Sequence, residues 1–147
     1  MRVRAKLPDE VQIPPEIEPY CRQRFITAGK EYEVHAISVR LRDPPMVLFQ
    51  IIDDLRYPSW LPHILFEIVD RSCAPDWCCN VLEEEGRAKR FLLGPEFIVR
   101  DAESHDAMVE LEADQVDLFW KRIDAIEKAR EEQRWLEELD KEPEDSG

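Results

Sequence analysis

Apolar and polar residues alternate with a period of two through much of the first hundred positions and recur every three or four in the last third. That change of period predicts an α+β protein, a β-rich body followed by C-terminal helices. The stretch after the Ala28-Gly29-Lys30 turn shows the alternation best. Tyr32, Val34 and Ala36 fall on one face and Glu31, Glu33 and His35 on the other, as a half-buried strand requires. Met46 to Ile52 is a nearly continuous apolar run rich in β-branched residues, the mark of a central strand, and Asp53-Asp54 is expected to end it in a turn. Arg56 to Pro62 is expected as an aromatic loop framed by Pro58 and Pro62. Ile64, Phe66 and Ile68 then alternate again. Trp77 to Leu82 and Arg90 to Leu93 are expected to pair as a hairpin around Glu83-Glu84-Glu85-Gly86. Pro8, Pro14, Pro15 and Pro19 make residues 1–24 an extended lead-in, with Val11, Ile13 and Ile17 laid along the body as an edge strand.

The helical part begins near residue 101. Ser104 is expected to cap a short helix through about Leu111. A long helix follows from about Asp114 to Asp140, with Val116, Phe119, Trp120, Ile123 and Ile126 forming one apolar stripe. Trp135, Leu136 and Leu139 are expected to resume that stripe. The first four turns are expected to cover the body and the remainder to project from it. Residues 141–147 have no apolar content and are expected to be disordered. The chain thus divides into a lead-in (1–24), a β-rich body (25–100), a helical segment (101–140) and a tail (141–147).

Charge sharpens this division. The chain has 147 residues, enough for one domain, and a net charge of −13. Residues 101–147 hold 17 acids and 6 bases, whereas residues 1–100 hold 16 and 14. The negative field therefore belongs to the last third. It repels nucleic acid and anionic membranes, so neither is expected as a partner, and it attracts basic surfaces. No apolar run reaches the ~18 residues of a membrane span. The basic Met1–Lys6 stretch leads into Pro8-Asp9-Glu10 rather than an apolar core, so no secretory signal is expected. Cys21, Cys73, Cys78 and Cys79 then read as free, buried thiols in a reducing cytoplasm.

Catalytic signatures are scarce. With four glycines in the chain there is no phosphate-cradling motif, and neither a GxSxG elbow nor an HExxH helix occurs. The C-x4-C-C spacing of Cys73, Cys78 and Cys79 does not suit zinc, because strand neighbours face opposite ways. No metal, cofactor or catalytic residue is therefore expected. A Cys78–His63 nucleophilic pair, paired carboxylates at Asp53-Asp54, and a hydrolase-type pocket around His63, His105 and Asp53 are weaker alternatives.

Three segments resemble a small bacterial and phage module with an SH3-like barrel: Thr27-Ala28-Gly29-Lys30-Glu31-Tyr32-Glu33-Val34, Ile51-Ile52-Asp53-Asp54, and Leu65-Phe66-Glu67-Ile68-Val69-Asp70. The resemblance covers about residues 25–70 and implies a small antiparallel SH3-like β-barrel as the core of the body. Small, acidic proteins without catalytic signatures are also similar in class to the immunity proteins of bacterial toxin systems, an analogy that rests on no motif. The resulting expectation is a protein-binding module for a basic protein, a toxin being the leading case. Tyr57 and Trp60 in the proline-framed loop, with Asp117, Asp124, Glu127, Glu131 and Glu138 on the long helix, are its candidate partner-binding residues. The alternative is a phage or bacterial structural protein that forms a homodimer through the C-terminal helix.

Overall fold

In a computed structural model, described for residues 1–22 and 24–141, the chain forms two compact units, Met1–Glu112 and Ala113–Gly147. Two antiparallel sheets and two short helices, α1 (Glu96–Val99) and α2 (Ala102–Val109), build the first unit. One long helix, α3 (Ala113–Asp140), builds the second. Residues 142–147, most of the expected tail, lie outside the described residues.

The smaller sheet has the order β2-β1-β6, from β2 (Glu31–Glu33), β1 (Arg2–Ala5) and β6 (Phe66–Asp70). The larger has the order β5-β4-β3-β8-β7, from β5 (Pro58–Pro62), β4 (Met46–Ile52), β3 (Ala36–Arg40), β8 (Arg87–Pro95) and β7 (Trp77–Glu84). The α+β class is therefore correct, but the strands do not close into a barrel. Two edges of the larger sheet, β5 and β7, remain unpaired with the smaller one. The chain passes between the sheets at Val34-His35, where Val34 N–H donates to Met1 O at 2.8 Å and His35 N–H to Gln50 O at 2.8 Å. It passes back through a 3-10 turn at His63–Leu65. Residues 71–100 extend the larger sheet, because β8 pairs with β3 in register Ile37↔Leu93 to Arg40↔Arg90.

The crossing explains why the alternation read from residue 31 onward stops at Val34. His35 is buried rather than exposed, and Ala36, Ile37 and Ser38 are all buried. A strand covered on both faces has no polar side to show. The lead-in also differs from expectation. Residues 2–5 form the central strand of the smaller sheet, whereas Val11 and Ile13 pack against the core without joining a strand. The expected aromatic loop at 56–62 is instead mostly β5. Its prolines are tolerated because β5 is a sheet edge, where no ladder N–H is missed.

The core lies between the sheets. Val3, Ala5, Tyr32, Leu65 and Phe66 from the smaller sheet and its turn meet Ile37, Phe49, Ile51 and Leu61 from the larger one. Alternation then turns Ala36, Ser38, Gln50, Trp60 and Leu92 to the far face of the larger sheet. Helices α1 and α2 lie on that side. Asn80 Nδ2 donates to Val99 O at 2.8 Å and Arg100 O at 3.1 Å, satisfying carbonyls at the end of α1. Gly94 is needed where β8 crosses β3, since a Cβ there would come within 2.8 Å of Ala36 Cβ. The α2 cap is Asp101, which accepts from Ser104 N–H at 2.7 Å. Ser104, the expected cap, lies inside the helix, where its hydroxyl accepts from Arg100 Nε at 3.1 Å.

Candidate partner-binding surfaces

Helix α3 carries most of the expected site. Asp117, Asp124, Glu127, Glu131 and Glu138 are all exposed. At roughly 100° per residue they fall within an arc of about 80°, so they form one stripe along the helix. The stripe runs about 31 Å at 1.5 Å rise per residue. The buried residues of α3 are Gln115, Phe119 and Ile123. Trp135, Leu136 and Leu139 do not resume that buried stripe. Sixteen residues separate Phe119 from Trp135, which rotates the indole about 160° around the axis. Trp135 and Leu139 consequently border the acidic stripe, and they are 61% and 44% exposed. Leu136 is also exposed and stands further round.

The other two candidates occupy the first unit and have different fates. Tyr57, just before β5, is exposed. Trp60 is half-buried on the far face of β5, with its indole N–H enclosed and its ring 5.3 Å from that of His105. It contributes packing area there rather than a free aromatic surface.

The adjacent aspartates are both committed to local structure. Asp53 is buried and accepts from Leu55 N–H and Tyr57 N–H at 3.0 Å each and from the Ser59 hydroxyl at 2.7 Å. This carboxylate fixes the turn into β5. Asp54 accepts from Lys30 Nζ at 2.8 Å, Thr27 Oγ1 at 2.7 Å and Tyr32 Oη at 2.8 Å. The Lys30 ammonium first, then Thr27, hold its carboxyl down at about 2. The Asp54 carboxylate is therefore not poised to exchange protons near neutrality.

No known protein family, curated protein or solved structure matches this chain.

The hydrolase-type groupings do not assemble. Asp53 and the exposed His63 sit at opposite ends of β5, and His105 is buried. Cys78 on β7 and His63 after β5 belong to opposite edges of the five-stranded sheet, roughly 19 Å apart at ~4.8 Å per strand. Cys21 is buried as expected, but Cys73, Cys78 and Cys79 are exposed, because β7 is an edge strand and Cys73 lies in the preceding loop. Among the described residues no group of three His, Cys, Asp or Glu could hold a metal ion. No helix among them is long and apolar enough to cross a membrane.

One constellation was not visible in the sequence. His105 Nδ1 lies 3.0 Å from Arg90 Nη1, which can only donate, so Nδ1 accepts and Nε2 carries the proton in the neutral ring. Burial first, and then the Arg90 charge, push the His105 pKa below its usual value against the opposing pull of Asp106. Trp60, Arg90 and His105 come from β5, β8 and α2. No periodicity or spacing links positions so far apart.

Proposed function

We propose that this protein is a cytoplasmic protein-binding module that offers the acidic face of α3 to a basic protein surface. The observation that carries the reading is the single exposed stripe from Asp117 to Glu138, bordered by the exposed Trp135 and Leu139. Carboxylates on one face steer a basic partner and set its register. An exposed tryptophan supplies the apolar anchor that converts encounter into residence. Neutralisation of a toxin by occlusion of its basic cleft, as immunity proteins do, is the use we favour. The kinship of residues 25–70 to SH3-like modules belongs to the same proposal, supported by the antiparallel pairing of β3 with β4.

The test is affinity capture from the native host with the full chain and with an Asp124→Lys/Glu127→Lys/Glu131→Lys variant. A basic protein held by the parent chain and lost by the variant is expected, with association that slows as salt rises. Capture of the same proteins by both chains, or of none, would overturn the reading. A second reading, self-association through Trp135, Leu136 and Leu139, is favoured by their exposure. Sedimentation at several concentrations separates the two, since a strict monomer leaves only the hetero-partner.

A further inference from the structure

A cluster of basic side chains lies elsewhere in this acidic molecule. Between the β3–β4 connection and the β7–β8 hairpin is a cleft of about 560 Å³ lined by Arg40, Arg42, Arg87, Lys89 and Arg90. Three acids share the lining: Asp43, Glu84 and Glu85. We propose that this cleft binds a compact, multiply charged anion of the phosphate class.

The argument begins with strand register. Arg40 and Arg90 are direct partners across β3 and β8. Like charges in that position repel, so a fold that keeps them together needs compensating negative charge nearby. The protein supplies little. The nearest carboxylate oxygen to Arg90 is Asp106 Oδ1 at 3.9 Å, beyond hydrogen-bond reach, and the Arg90 side chain is only 24% exposed. Burial and the neighbouring Arg40 charge both depress the Arg90 pKa, which is the signature of a cation short of counter-charge.

Arg40 is fixed in place by groups that carry no charge, and Arg42 is held more loosely in the same way. Arg40 donates to Tyr20 Oη at 3.2 Å and to the backbone oxygen of Asp43 at 3.0 Å, and its guanidinium lies 5.4 Å from the Tyr20 ring centre. Arg42 Nη2 donates to Ala88 O at 3.5 Å. These contacts orient guanidinium groups without neutralising them, which is the preorganisation that a bidentate oxyanion contact needs. Lys89 holds Glu84 at 3.1 Å. Four arginines are then left facing the carboxylates of Asp43 and Glu85, a local excess of positive charge in a chain whose net charge is −13.

The volume falls within the range of small-molecule sites, but every lining residue is charged. No apolar side chain lines it, so an aliphatic ligand would find no wall to pack on. The chemistry selected is a bare polyanion, such as pyrophosphate or the phosphate group of a small polar metabolite. The proposal is independent of the acidic face of α3, and either could fail alone.

Calorimetric titration of the full chain with inorganic pyrophosphate at low ionic strength tests it, with sodium sulfate and glycerol 3-phosphate as further titrants. One site is expected, with pyrophosphate tighter than sulfate. An Arg42→Ala/Arg87→Ala variant, altered at two exposed positions, is expected to bind at least about tenfold more weakly with an unchanged melting temperature. Arg40→Lys is expected to weaken binding while keeping the charge, because the planar donor pair is lost. If the double variant melts early, Arg42→Gln alone replaces it. Equal binding by parent and variant, or no saturable heat up to about 10 mM pyrophosphate, overturns the proposal.

Discussion

The two faces of the five-stranded sheet are built on opposite principles. The face toward the smaller sheet is a conventional core: Ile37, Phe49, Ile51 and Leu61 are buried against Val3, Tyr32 and Phe66. Its one buried polar atom without a partner among the described residues is Trp77 Nε1, at the end of β7. The far face buries Ala36 and Leu92 but also Ser38, Gln50 and His105, with the half-buried Trp60 between them. Ser38 Oγ, both polar atoms of the Gln50 amide, Trp60 Nε1 and His105 Nε2 all lack hydrogen-bond partners there among the described residues. Each such group forfeits solvation worth about 1–3 kcal/mol. The far face therefore carries a polar burial cost that the near face largely lacks. A layer that costs stability is where function or residual mobility is expected to lie, and His105 of this layer touches Arg90 of the basic cleft.

The largest effect is expected on the apolar face. Ile51 is fully buried within the core cluster. Ile51→Ala is expected to cost about 2–5 kcal/mol, the usual range for truncating a buried aliphatic side chain. Urea unfolding of the parent and variant measures it. A loss below about 1 kcal/mol would mean that this core is loosely packed and that the two faces are not distinct.

A smaller effect distinguishes the faces by pH. The His105 pKa is lowered in the folded protein from 6.5, so on acidification the unfolded chain takes up a proton before the folded one does. Stability is then present above pH 6.5 and falls as pH drops below it, by at most about 1.4 kcal/mol per pH unit for one group. Protonation in the fold would also break the acceptor role of Nδ1 toward Arg90, with the Asp106 carboxylate nearby to favour it. The urea midpoint of the parent is expected to fall more steeply from pH 7.5 to pH 5.5 than that of His105→Asn. Contributions of other groups cancel in the difference. Parallel curves would show that His105 titrates alike in both states. A separate loss is expected below pH 3.8, where Asp54, held at about 2, gives up its contacts with Lys30, Thr27 and Tyr32.

What the sequence disclosed follows from the range of each interaction. Helix α3, the β7–β8 hairpin and β4 are marked by local pattern, and each was legible within a few residues. The acidic stripe was legible for the same reason, since five carboxylates on one helix obey one period. The phase of Trp135 against Phe119 follows from the same period, which turns the indole about 160° from the buried stripe. The pairing of residues 2–5 with both 31–33 and 66–70 was not legible, because four residues carry no period that names a partner. The crossing at Val34-His35 interrupted an alternation that looked unbroken. Arg40 with Arg90, and Trp60 with His105, are products of register between distant segments, and single residue types gave no signal of either.

The finest test uses two neighbours on one strand. Gln50 and Ile51 are both fully buried on β4 and point to opposite faces. Gln50 pairs across strands with Ala36 and Trp60, and neither offers its amide a hydrogen bond. Met has nearly the volume of Gln and no polar end group, so Gln50→Met removes an amide burial cost without opening a cavity. The expected outcome is no loss of stability and a gain of up to about 1 kcal/mol, read from urea midpoints beside Ile51→Ala. A loss above about 1 kcal/mol would mean that the amide is satisfied within the folded protein, and the contrast between the faces would dissolve. A gain would identify the far face as a layer whose polar side chains persist for something other than stability. The same variant titrated with pyrophosphate would then show whether that purpose is the adjoining cleft.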